Sequence, residues 1–132
     1  MHYLKHFWVF LCWMLLIIYL SFTPLNDWPQ PSVLQKLYLD KVVHFTMYLV
    51  LSLLLLRSFY RQQNRQMLRY AVIITALLFS AGLGIAVETL QPLLTRFRKF
   101  EWADMAANVA GALAGVLIFR RWIFTRQSIA KN

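Results

Sequence analysis

The chain has 132 residues, of which 60% are hydrophobic and 14% charged. Average soluble domains carry about 45–50% apolar and about 25% charged residues, and so small a body has too little interior to hide the apolar excess. A disordered chain is excluded and an ordinary soluble domain fits poorly. The net charge of +9 must be read by its distribution before it is taken as a sign of nucleic-acid binding.

Four apolar stretches divide the chain, at 7–23, 41–57, 70–90 and 102–120. A helix crossing a hydrocarbon core of about 30 Å needs roughly 20 residues, with a range of about 17–25. None of the four carries a polar stripe that would face water. They predict an all-α, polytopic membrane protein of one domain, residues 1–132, with four transmembrane helices.

The first stretch follows a basic segment (His2, Lys5, His6) as a signal peptide would. It ends Tyr19-Leu20-Ser21-Phe22-Thr23-Pro24 without a small-residue cleavage site, so it reads as a retained anchor. Cys12 within it is the single cysteine, which excludes an intramolecular disulfide and a thiolate metal cluster. The loop from Thr23 to Lys41 carries Pro24, Pro29 and Pro31. Ser32 with Gln35 then forms a capping-box pattern. A helix starting there would lie on the membrane surface or extend the second span outward; a plain connector fits as well.

Lys5, then Arg57, Arg61, Arg65 and Arg69, then Arg120, Arg121, Arg126 and Lys131 lie in the N-terminus, the middle loop and the tail. Those segments hold no acid. The other two loops and their flanks mix Lys36, Lys41, Arg96, Arg98 and Lys99 with Asp27, Asp40, Glu88, Glu101 and Asp104. Cytoplasmic loops carry the excess of Lys and Arg, so both termini are expected in the cytoplasm and the loops 23–41 and 91–101 outside. The net charge is then a statement about orientation, with no nucleic-acid partner. Trp8, Tyr70 and Trp122 on the inner side, and Tyr19, Trp28, Tyr38 and Trp102 on the outer, mark an interfacial belt.

Ionisable residues within apolar spans are costly and point to function. Here they gather at the outer ends. Asp40 and His44 are four apart on the second span, beside Lys41 and with Tyr48 continuing the stripe. Glu88 and Gln91 are three apart on the third, and Asp104 and Asn108 four apart on the fourth. Each pair shares a helix face. His44, Glu88 and Asp104 are the candidate acid–base groups; Lys41 and Arg98 are the candidate anion contacts. Mutual pairing that merely closes the bundle is the competing reading. Gly111-x-x-x-Gly115 extends the stripe of Asp104 and Asn108, and Gly84 extends that of Glu88. Small residues at this spacing admit close helix packing, within the chain or in a homodimer. Asp40, His44, Glu88 and Asp104 offer a weak donor set for a divalent metal, so no metal or other cofactor is assigned. Phosphate-loop, Cys-x-x-Cys, His-Glu-x-x-His and Gly-x-Ser-x-Gly patterns are absent.

Asp40-Lys41-x-x-His44, Glu88-x-x-Gln91, Arg98 and Asp104-x-x-x-Asn108-x-x-Gly111-x-x-x-Gly115 together resemble the VanZ-like family over about residues 33–119. Its members are small polytopic bacterial membrane proteins, the founding one linked to low-level teicoplanin resistance. Arg96-Phe97 stand where the family often has Pro-Gly, which leaves Arg96 and Arg98 both open as the functional arginine. The resemblance implies association with the cell envelope. The expected function is an inner-membrane protein with an outer-leaflet polar site formed by Asp40, Lys41, His44, Glu88, Gln91, Arg98, Asp104 and Asn108. That site would engage an envelope lipid, a cell-wall precursor or a glycopeptide. The alternatives are an enzyme acting on a lipid-linked substrate, or a structural or transport subunit. Transport fits less well, since the middles of the spans hold no ionisable group.

Overall fold

The computed structural model describes residues 3–23, 33–63, 70–96 and 100–129. A 3-10 turn, Tyr3–His6, precedes four α-helices: α1 (Trp8–Phe22), α2 (Val33–Gln62), α3 (Tyr70–Leu94) and α4 (Trp102–Ile129). Among the described residues there is no strand. Leucine and other apolar residues fill much of each helix, and a helix pairs its interior backbone donors and acceptors within itself, as an apolar surrounding demands.

Three helices are long and apolar enough to cross a membrane, at Leu39–Gln62, Tyr70–Leu94 and Trp102–Thr125. α1 has 15 residues and a length of about 22 Å, shorter than the span expected at 7–23. It begins after the 3-10 turn and ends where Thr23 turns extended.

The longer helices overrun their apolar stretches. α2 begins at Val33 rather than 41, so the segment before the second span extends it as a helix. Ser32 of the expected capping box lies outside the described residues. α4 continues to Ile129, because Arg and Trp end an apolar run without ending a helix. α3 stops two residues after Pro92, which removes the hydrogen bond its N–H would have made to the Glu88 carbonyl.

The closest packing is between α2 and α4. A Cβ on Gly111 would collide with the Phe45 carbonyl, and one on Gly115 with Ser52 Oγ and the Leu49 carbonyl. A Cβ on Gly84 would come within 2.8 Å of Asn108 Cβ and 3.2 Å of Tyr48 Cε1. All three glycines are filled by the chain's own helices, so a second copy would have to use another surface.

α1 and the turn before it lie along this bundle and are tied at three heights. Ser58 Oγ donates to the His6 carbonyl (2.7 Å), Trp13 Nε1 to the Met47 carbonyl (3.0 Å) and Gln91 Nε2 to the Ser21 carbonyl (3.0 Å). The apolar core, including Leu51, Leu55, Leu56, Ala76, Val116 and Phe119, fills the middle and the arginine-bearing end. Around it Leu15, Leu78, Leu117 and Phe124 are exposed, a surface suited to hydrocarbon rather than water. Trp8, Tyr19, Tyr70, Trp102 and Trp122 are also exposed, as an interfacial belt requires.

Candidate functional site

The expected polar residues meet at one end of the bundle. His44 is 5% exposed, Glu88 1%, Gln91 1%, Asp104 4% and Asn108 0%. The charged groups of the other end contrast sharply: Arg57, Arg61, Arg120 and Arg121 are all exposed. Exposed cations fit a membrane–water boundary, whereas buried ionisable groups need partners.

His44 is the hub. It projects from α2 where its backbone helix is continuous, so the i, i+4 spacing keeps it beneath Asp40. Its Nδ1 lies 3.0 Å from Asn108 Oδ1 on α4 and 3.5 Å from Glu88 Oε1 on α3. Both facing atoms are oxygens, and a ring protonated at Nδ1 would donate to them. Nε2 faces Asp40, whose Oδ1 is 3.9 Å away. One ring thus joins three helices and keeps its second nitrogen directed at a half-buried carboxylate.

Lys41 occupies the rim. Its Nζ lies 2.9 Å from Asp104 Oδ1 and 3.1 Å from Glu101 Oε2. The anion-contact role expected for Lys41 therefore competes with two resident carboxylates. Asp104 sits in the first turn of α4, where the helix dipole favours a negative charge.

Gln91 is part of the buried cluster, but its side-chain amide is committed to the Ser21 carbonyl of α1. Arg98 lies outside the described residues; Arg96 is described and exposed. Beneath His44, Tyr48 is fully buried and packs where Gly84 leaves room. Its hydroxyl and Asn108 Nδ2 make no hydrogen bond among the described residues. Buried polar atoms in that condition are uncommon in folded proteins.

Two participants are missing from the residue set expected from sequence. Glu101 had a signal, since it precedes Asp104 by three residues at the start of the same helix. The Ser21 carbonyl had none, because every residue has a backbone acceptor.

The arrangement defines a class: a helical protein of membrane-crossing dimensions with a buried acid–imidazole–amide cluster at one end. The chain belongs to the VanZ/LLP1 family, whose profile matches residues 7–125. No curated protein and no solved structure matches it.

Proposed function

We infer that this is a multi-pass protein of the bacterial inner membrane with four spans and cytoplasmic termini. Its polar cluster lies toward the outer leaflet and engages an anionic or glycosylated envelope molecule: a lipid, a cell-wall precursor or a glycopeptide. The observation that carries this reading is the contrast between the two ends. Ionisable groups are buried and cross-linked at one and exposed and purely basic at the other. The basic end obeys the rule for cytoplasmic loops, which directs the buried cluster outward.

The ties of α1 support the fourth span. They run from His6, against Ser58, to Ser21, against Gln91, so the short helix and its leading turn cover most of the height of α2 and α3. In this reading Asp40 and His44 orient the ligand by hydrogen bonds, Arg98 contacts its charge, and Glu88 and Asn108 hold His44 in place.

A second reading, acid–base chemistry on a lipid-linked substrate, draws on the same ring. A ring protonated at Nδ1, facing Asn108 Oδ1 at 3.0 Å, would leave Nε2 as the basic nitrogen, as a general base requires.

The test replaces Asp40, His44, Glu88 and Asp104 singly by alanine and measures glycopeptide tolerance at matched protein level. Loss of tolerance in any of the four supports a ligand site. Unaltered tolerance in all of them, with the protein present, removes the reading for this phenotype.

A further inference from the structure

α2 and α4 are drawn together where Gly111 and Gly115 face Phe45, Leu49 and Ser52. One and two turns further toward the arginine-bearing end, large rings replace glycine. Tyr60 on α2 meets Phe119 and Trp122 on α4, with ring centroids 6.0 Å apart in each pair. Rings of that size hold two helix surfaces apart, and a groove of about 560 Å³ lies between the helices there. Pockets that take small ligands run from about 300 to 1,000 Å³. The walls include Leu54 on one side and Ile118 on the other, and the mouth carries Arg57 and Arg61.

Both arginines are exposed, and among the described residues no ion pair engages either. They are four apart on α2, so they share a helix face, and Val50 and Leu54 line the same groove deeper down. Five residues, about 7.5 Å at 1.5 Å each, separate Arg57 from Gln62, the end of the membrane-crossing stretch. Its stem therefore runs along apolar surface while its guanidinium reaches toward the headgroups. Lys41 at the opposite rim is held by two carboxylates. Residues 57–69 and 120–132 hold no acid that could do the same here.

We propose that the groove between α2 and α4 binds one anionic phospholipid, of the phosphatidylglycerol type. Arg57 and Arg61 take its phosphate through paired N–H donors. The acyl chains lie along Leu54, Val50 and Ile118, against the aromatic wall. Val50 to Arg61 spans about 16 Å of helix, which accommodates the phosphate, the glycerol and the upper part of a chain. The apolar depth below the arginines favours a lipid over free phosphate. In the orientation proposed above the groove opens to the inner leaflet; lipid binding rests neither on that orientation nor on the polar cluster at the other end.

The full chain, purified in detergent, is titrated with dioleoyl phosphatidylglycerol and followed by native mass spectrometry. Phosphatidylcholine with the same chains and glycerol 3-phosphate are titrated in parallel. One phosphatidylglycerol per chain should be retained. Phosphatidylcholine, whose choline cation offsets the phosphate, should bind at least about 10-fold more weakly, and glycerol 3-phosphate, without chains, should not be retained. Arg57→Gln and Arg61→Gln should each weaken binding about 5-fold, the factor one basic residue contributes beside an anionic surface. Arg121→Gln removes the same charge at the same end but in the separate groove between α3 and α4, and should leave binding unchanged. Ile118→Trp should fill the groove and abolish retention with both arginines intact. All four positions are exposed, so these variants spare the core. Equal retention of the two lipids, or an equal loss in Arg121→Gln and Arg57→Gln, reduces the effect to general basic attraction and overturns the site. Retention of glycerol 3-phosphate overturns the lipid in favour of a bare phosphate, and a stable dimer dissociated by Ile118→Trp gives the groove to a second copy. No glycopeptide enters this titration, so its failure is separable from a failure in the tolerance assay.

Discussion

Lys41 Nζ sits 2.9 Å from Asp104 Oδ1, joining residues 63 positions apart and fastening α2 to the first turn of α4. Asp104 is nearly inaccessible while Lys41 is about a quarter exposed, so the pair is worth more than a surface bridge and less than a fully enclosed one. Lys41→Met is expected to destabilise the protein by roughly 1–3 kcal/mol, because it strands a buried carboxylate. Lys41→Met combined with Asp104→Asn should recover about 1 kcal/mol of that loss. Thermal unfolding midpoints in detergent with EDTA present check both; strict additivity would mean that the two groups do not couple.

Gly111 and Gly115 set the distance between α2 and α4, since a Cβ at either would strike α2. Gly111→Leu pushes a side chain into the Phe45 backbone. Overpacking a core typically costs about 1–3 kcal/mol, more when backbone must move, so this variant should lose its folded fraction on size-exclusion chromatography. Gly82 is the control: a Cβ there meets nothing within 4 Å. Gly82→Ala should be neutral or stabilising by up to about 1 kcal/mol, the helix-propensity difference between the two residues.

The faces that carry the site were legible because helical periodicity is local. Asp40 with His44, Glu88 with Gln91 and Asp104 with Asn108 each read as one face from spacing alone, and the bundle brings those faces together. What spacing does not carry is the choice of partner across helices. Lys41 read as an anion contact, yet Glu101 and Asp104 hold it from 60 and 63 residues away. Gln91 read as a ligand contact, yet its amide reaches a backbone carbonyl of α1. The ends of helices were also poorly legible. An apolar run marks the thickness of a membrane, and α2 and α4 continue beyond it through residues that tolerate both helix and water.

Gln91 therefore makes a prediction of its own. Its amide donates to the Ser21 carbonyl in a buried setting, and leaving that acceptor unsatisfied costs about 1–3 kcal/mol. Gln91→Leu should lower the unfolding midpoint while glycopeptide tolerance at matched protein level stays unaltered. Changed tolerance with an unchanged midpoint would return Gln91 to the ligand-contacting set.

The short α1 makes the sharpest topological prediction. If the turn at Tyr3–His6 and α1 together cross the membrane, the N-terminus and residue 64 lie on the same side. If they do not, they lie on opposite sides, because α2 crosses once between them. A reporter active only in the cytoplasm should give signal when fused at the N-terminus, after Asn64 and after Asn132. A reporter active only outside the inner membrane should give signal after Arg96. The asymmetry of Lys and Arg drives this orientation, so replacing Arg57, Arg61, Arg65 and Arg69 together by glutamine should produce a mixed population in which both reporters respond after Asn64. An N-terminal signal from the external reporter alone would reduce the protein to three spans, with α1 packed against the bundle without crossing the bilayer.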